Sequence, residues 1–220
     1  MASALRCVLF DLDGTLLDTA PDMARALNGL RQERGLAPLP FARIRPVVSH
    51  GSLGLVRLGF DRGPGDPGFD ELRARFLDIY AADLARDTVL FPGMVEVLQR
   101  IERQGLAWGI VTNKPGWLTE PLLAALDLRQ RAACVVSGDT VAERKPHPAP
   151  LLHACRVAGV QAQDCLYLGD AERDIEAGRR AGMTTVVARY GYLAADEHPE
   201  QWGAHGLIDH PRELLDWLPT

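Results

Sequence analysis

Residues 7–15, Cys7-Val8-Leu9-Phe10-Asp11-Leu12-Asp13-Gly14-Thr15, set an apolar run against two carboxylates and a glycine turn. The apolar run fits a strand buried on both faces. Beyond it, Asp11 and Asp13 stand two positions apart, so the period of an extended chain turns both to one side. Gly14-Thr15 permits a tight turn that keeps the two acids at the strand's carboxyl end, where open parallel sheets form their ligand crevice. Taken alone, the pair reads equally well as a capping acid followed by a turn acid.

Further apolar runs occur at 107–111 (AWGIV), 134–136 (CVV), 165–169 (CLYLG), 184–188 (TTVVA) and 207–208 (LI). Helix-period stretches separate them at 92–104, 116–126, 147–158 and 173–181. Such alternation predicts an α/β fold: a parallel sheet with helices on both faces. Between Leu17 and about Leu90 the pattern is helical only, with helices expected near 21–34 and 69–85. GFDRGPGDPG, at 59–68, reads as a flexible loop within that stretch. The expected division is a core of 1–17 and 90–220 with a helical insert of 18–89.

Three later strand ends decide how Asp11 and Asp13 are read. Thr112-Asn113 follows the second run and offers a hydroxyl and an amide to phosphate oxygens. Lys145-Pro146 opens a helical stretch, where an ammonium would neutralise a phosphate and a nucleophile together. Gly169-Asp170-Ala171-Glu172-Arg173-Asp174 places two acids four apart, on one face if the turn is helical. Singly, the first two read as a turn and a surface lysine. Gathered in one crevice, Asp11, Asp13, Asp170 and Asp174 would repel one another strongly. A hard cation that prefers carboxylate and water oxygens, magnesium above all, is the expected remedy.

Composition narrows the field. Hydrophobic residues make up 47% and charged residues 24% of the 220, an ordinary globular balance. A net charge of -5 with no run of one sign argues against nucleic-acid or anionic-membrane partners and leaves a small molecule as the expected one. The start, MASALRCVLFDLDG, encodes neither a signal peptide nor a spanning helix, so a cytoplasmic location is expected. Cys7, Cys134, Cys155 and Cys165 sit singly in apolar contexts and read as reduced core residues.

DLDGT at 11–15, TN at 112–113, KP at 145–146 and GDAERD at 169–174, in that order, resemble the haloacid dehalogenase superfamily. The insert directly after the first motif resembles the helical cap of its phosphoglycolate-phosphatase-like branch. The resemblance implies a Rossmann-like core and a magnesium-dependent phosphatase working through an aspartyl phosphate. Asp11 is then the nucleophile and Asp13 the acid and base. Thr112, Asn113 and Lys145 bind the phosphoryl group. Asp11, the Asp13 carbonyl and Asp170 ligate magnesium, with Asp174 acting through water. Ala171 departs from relatives that carry Ser or Thr after Gly-Asp, which is expected to change a hydrogen bond behind the metal ligands. The acid two residues beyond the nucleophile separates phosphatases from dehalogenases, because only an alkoxide leaving group needs a proton.

Substrate choice is assigned to the cap, with Arg43, Arg45, Ser49, His50 and Gly51 as candidates and Trp117 at the entrance. The stretch LLDTAPD and the tail from VARYGY onward are similar to bacterial phosphatases of N-acetylmuramic acid 6-phosphate. That ester is the expected substrate, with 2-phosphoglycolate as the alternative, in a monomer or homodimer. A sugar-phosphate mutase would share all four motifs. A non-enzymatic binding module predicts loss of a key group, and none of the motif residues is missing.

Overall fold

The computed structural model describes residues 5–219; residues 1–4 and 220, at the ends of the expected core segments, lie outside it. β1 (Cys7–Phe10) leads through a turn to the two-residue β2 (Leu17–Asp18). Four helices follow: α1 (Ala20–Glu33), the single turn α2 (Phe41–Ile44), α3 (Gly51–Phe60) and α4 (Phe69–Ala82). A 3-10 turn over Arg45–His50 joins α2 to α3. The chain returns through β3 (Val89–Leu90) into α5 (Met94–Arg103), β4 (Ala107–Val111), α6 (Gly116–Ala125) and β5 (Cys134–Val136). It ends with α7 (Ala149–Ala158), β6 (Cys165–Gly169), α8 (Glu172–Ala181), β7 (Thr184–Ala188) and β8 (Gly206–Ile208).

Six strands form one parallel sheet in the order β5-β4-β1-β6-β7-β8. β1 lies between β4 and β6, so the winding reverses beside it and opens a crevice at its carboxyl end. Both faces of β1 are buried: Val8 and Phe10 enter one hydrophobic cluster, Cys7 and Leu9 another. That two-sided burial is why the run shows no polar alternation. All four cysteines are buried free thiols. Among the described residues no helix is long and apolar enough to cross a membrane.

The stretch from 17 to 90 departs from the helical reading at its two ends, where Leu17 pairs with Leu90 and Asp18 with Val89 in an antiparallel ribbon. Two-residue strands are too short to carry a period. The second difference is α3, hidden in the sequence by three glycines; its burial of Leu55 and Val56 against the α1 and α4 core outweighs the poor helix propensity of glycine. GFDRGPGDPG begins within α3 and becomes irregular only after Phe60.

A buried acid ties the start of this helical layer to its end. Asp22 on α1 is fully buried. Its Oδ2 accepts from Thr88 N at 2.9 Å, Thr88 Oγ1 at 2.7 Å and Asp87 N at 3.1 Å, and Arg25 pairs with Oδ1. Burial works against the charge, but these donors outweigh it and hold the carboxyl below its usual range. Asp22→Ala would leave the 87–88 donors unpaired. It should lower the unfolding free energy by about 2 kcal/mol or more in a urea titration; a loss below about 0.5 kcal/mol would show that water replaces the carboxylate without cost.

Candidate active site

Register builds the site. Phe10 pairs with Ile110 on β4 and Leu168 on β6, so the residues just past these strand ends share one level. Asp11 N donates to Leu168 O at 2.9 Å, and Thr112 N to Val136 O at 2.9 Å. Asp11, Thr112 and Asp170 therefore line up across the crevice. The turn after Asp13 needs Gly14, whose φ of +89° suits glycine and whose missing Cβ leaves room for the Asp170 carboxylate and the Tyr192 ring.

Lys145, carried on the loop between β5 and α7, is the cation at the centre. Its buried Nζ lies 2.8 Å from Asp11 Oδ1 and 2.7 Å from Asp174 Oδ1, and donates to Tyr167 Oη at 2.8 Å and Val111 O at 2.9 Å. The Asn113 side chain clasps the Lys145 backbone in both directions, accepting from its N–H at 3.1 Å and donating to its carbonyl at 3.0 Å. Both ends of that amide are therefore engaged in holding the lysine. Thr112 Oγ1 accepts from Lys114 N at 3.1 Å, which leaves the hydroxyl proton free for a ligand in the cavity it lines.

One ammonium is too little charge for the acids around it. Carboxylate oxygens of Asp11, Asp170 and Asp174 lie within 4.8 Å of one another, all buried. Burial first, then the Asp174 charge, push the Asp11 carboxyl up to about 7 despite Lys145, and the same two causes push Asp170 up to about 6. Asp11 Oδ1 meets Lys145 as an ion pair and has no further partner among the described residues. Asp170 is oriented from three sides, accepting from Thr15 Oγ1 at 3.1 Å, Ser49 Oγ at 2.7 Å and Tyr192 N at 3.0 Å. Asp174 has less to give: Lys145 takes one oxygen, and the Ala171 N–H takes the other at 3.0 Å. With alanine at position 171, this backward bond from Asp174 is the half of a capping box that remains. Hard, buried, under-neutralised oxygen donors fit a divalent cation held chiefly by Asp11 and Asp170.

Asp13 has its own partners. Oδ1 accepts from Thr19 Oγ1 at 2.7 Å and lies 3.0 Å from Lys114 Nζ, and among the described residues no donor meets Oδ2. Lys114 in turn donates to Tyr80 Oη of α4 at 2.8 Å. Burial opposes its charge, but Asp13 and the Tyr80 hydroxyl more than offset this and hold the ammonium above the usual lysine range. Sequence reasoning passed over both residues, although Lys114 directly follows Thr112-Asn113; Tyr80 reads as one more apolar position of a helix.

A cavity of about 970 Å³ lies over these groups. Asp11, Asp13, Thr112, Asn113 and Lys114 form its floor, and the α3 and α4 layer forms its roof. Ser49, His50, Gly51 and Trp117 all line it. Arg43 does not: α2 turns it to solvent while Ile44 enters the core. Arg45 is not on the cavity wall either; it donates to the Tyr190 and Gly191 carbonyls at 3.0 and 2.9 Å and stacks on Tyr192, which straps the insert to the core.

These features define an α/β enzyme with an acid-rich, cation-ready crevice under a helical roof. A family model described as haloacid dehalogenase-like hydrolase matches residues 8–188. The chain is 47% identical over 215 residues to a phosphoglycolate phosphatase of Xanthomonas campestris pv. campestris, covering 98% of this chain and 96% of the relative. It is 44% identical over 214 residues to an N-acetylmuramic acid 6-phosphate phosphatase of Pseudomonas aeruginosa, covering 97% and 95%. A crystal structure from Haemophilus somnus, described as a predicted phosphoglycolate phosphatase, superposes with a TM-score of 0.85 at 26% identity over 97% of each chain. The chain belongs to the haloacid dehalogenase-like hydrolase family.

The electrostatics of the acid cluster set a pH test. Asp11 and Asp170 are both held above the ordinary 3.8. Between roughly pH 4 and pH 7 the cation-free native protein therefore binds more protons than the unfolded chain, and these groups cost stability as pH rises. A divalent cation competes with those protons. Replacing EDTA with magnesium chloride should raise the melting temperature more at roughly pH 8 than at roughly pH 5; an equal increment, or a larger one in acid, would contradict cation binding here.

Proposed function

We propose that the protein is a magnesium-dependent phosphomonoesterase in which Asp11 is the nucleophile and Asp13 the general acid and base. The observation that carries this reading is the division of labour between two carboxylates on one strand end. Asp11 is buried and ion-paired with Lys145 through Oδ1, while Asp13 faces the cavity with Oδ2 unpartnered among the described residues. A nucleophile must be ionised and fixed, and an acid must reach the leaving group.

In the first half-reaction an Asp11 carboxylate oxygen forms a bond to phosphorus as the bond to the ester oxygen breaks. The proton of Asp13 passes to that oxygen, and the alcohol leaves. In the second, Asp13 takes a proton from a water whose oxygen attacks phosphorus, which releases inorganic phosphate and restores Asp11. Lys145 stays beside Asp11 throughout and offsets its charge, while the Thr112 hydroxyl donates to a phosphoryl oxygen. Lys114 and Thr19 fix one oxygen of Asp13 and leave the other to move the proton. Magnesium, held by Asp11, Asp170 and the Asp13 carbonyl with Asp174 behind them, supplies charge neutralisation and polarisation of the phosphoryl group when bound.

The leaving group we favour is the amino-sugar acid of N-acetylmuramic acid 6-phosphate, the ester in the name of the Pseudomonas aeruginosa relative. The size of the cavity supports it. About 970 Å³ suits a sugar-sized ligand, whereas 2-phosphoglycolate would leave most of that volume to water.

Phosphate release from a panel of esters decides the matter. With magnesium, N-acetylmuramic acid 6-phosphate should exceed 2-phosphoglycolate in kcat/KM, and Asp11→Asn should lower kcat by about three orders of magnitude or more. Near-normal turnover by Asp11→Asn would remove the nucleophile assignment, and a preference for 2-phosphoglycolate would remove the sugar ester.

A further inference from the structure

The cavity carries more positive charge than one phosphate needs. Among the described residues the acids that line it are Asp11 and Asp13, each faced by a lysine. Its wall also holds His50, Arg57, Arg73, Arg144 and Arg173, and among the described residues none of these has a carboxylate within ion-pair distance. Elsewhere in the insert Arg25, Arg34, Arg75 and Arg86 pair with acids, Arg31, Arg45 and Arg62 donate to backbone carbonyls, and Arg43 lies in solvent. Arginines that share one cavity wall without an acid partner make that wall suited to an anionic ligand.

Two of them belong to the roof. Arg57 lies on the face of α3 that also carries Leu53 and Gly54, and His50, which precedes the helix, continues the i, i+3, i+4, i+7 spacing; all four line the cavity. Arg73 reaches in from α4, held by a hydrogen bond from its Nε to Ser52 Oγ at 3.0 Å. That bond fixes the guanidinium and leaves its two terminal nitrogens free, the fork geometry that grips a carboxylate. Arg173 instead sits among the acids of the floor, whose charges it feels, and its terminal nitrogen donates to Ser49 O at 2.7 Å. Arg144 is likewise engaged, with Gly138 O at 2.7 Å.

We infer that Arg57 and Arg73 form a second anion subsite, in the roof and away from Asp11, that reads a carboxylate on the leaving group. The substrate class is then a phosphorylated sugar acid whose carboxylate is separated from the phosphate by the body of the sugar. Leu53, Leu58, Leu77 and Trp117 add apolar lining to the same cavity. This inference rests on the phosphomonoesterase reading and adds to it a specificity device in the insert.

The test compares N-acetylmuramic acid 6-phosphate with N-acetylglucosamine 6-phosphate, which lacks the lactyl ether that carries the carboxylate. The wild-type protein should favour the first in kcat/KM by about tenfold or more. Arg57→Met and Arg73→Met should each reduce that ratio, chiefly through KM, and together bring it close to one. Arg73→Gln, which keeps a donor near Ser52, should lose the preference as well and guards against a variant that fails to fold. A wild-type ratio near one, or a ratio unmoved by the double change, would overturn the subsite. Hydrolysis of p-nitrophenyl phosphate but of neither sugar ester would overturn it while leaving the phosphatase reading intact; no phosphate from any ester would fail that reading itself.

Discussion

The ammonium of Lys145, buried between Asp11 and Asp174, is the contact around which the crevice is organised. Charges removed from water are tolerated only when paired and hydrogen-bonded, and here every neighbour has that task. Tyr167 and the Val111 carbonyl accept from the ammonium, Asn113 grips its backbone, and the loop after β5 must return to the carboxyl end of β1 to deliver it. Asp170 remains outside this pairing and is oriented by hydroxyl and amide donors instead. The result is a cluster in which three acids face two cations, Lys145 at the centre and Arg173 beside it, a balance that still suits a divalent cation.

The helical insert does more than roof the cavity. Ser49 donates to Asp170, and Tyr80 accepts from the lysine that contacts Asp13, so two insert side chains touch the groups around which the proposed chemistry is built. Arg45 clamps the same layer to the 190–191 backbone, and Asp22 locks its two connections together. Any opening of the roof breaks hydrogen bonds to the acid cluster.

Much of this was legible in the sequence, and what was not has physical reasons. The sheet strands announced themselves because both faces of each are buried, leaving apolar runs ended by polar residues. Asp11, Thr112 and Asp170 were readable because each directly follows a strand, and Asp174 because it lies in the first turn of α8, and the parallel register gathers those ends; Lys145, on the loop before α7, was marked only by its Lys-Pro pair. β2 and β3 were hidden by their length, and α3 by glycine. Arg43 and Arg45 looked alike on paper, yet one turn of helix sends the first to solvent and the second against Tyr192. Arg57 and Arg73 belong to no motif, and only the packing of α3 against α4 places both on the wall of one cavity.

The central claim is that Asp11 carries the phosphoryl group between substrate and water. Reduction with borohydride during turnover, followed by peptide mass analysis, tests it directly, because an acyl phosphate is reduced to the alcohol while a free carboxylate is not. The account predicts conversion of Asp11 to homoserine only when a phosphate ester and magnesium are both present. Phosphate release with Asp11 left unmodified, or with the label at another residue, would contradict it.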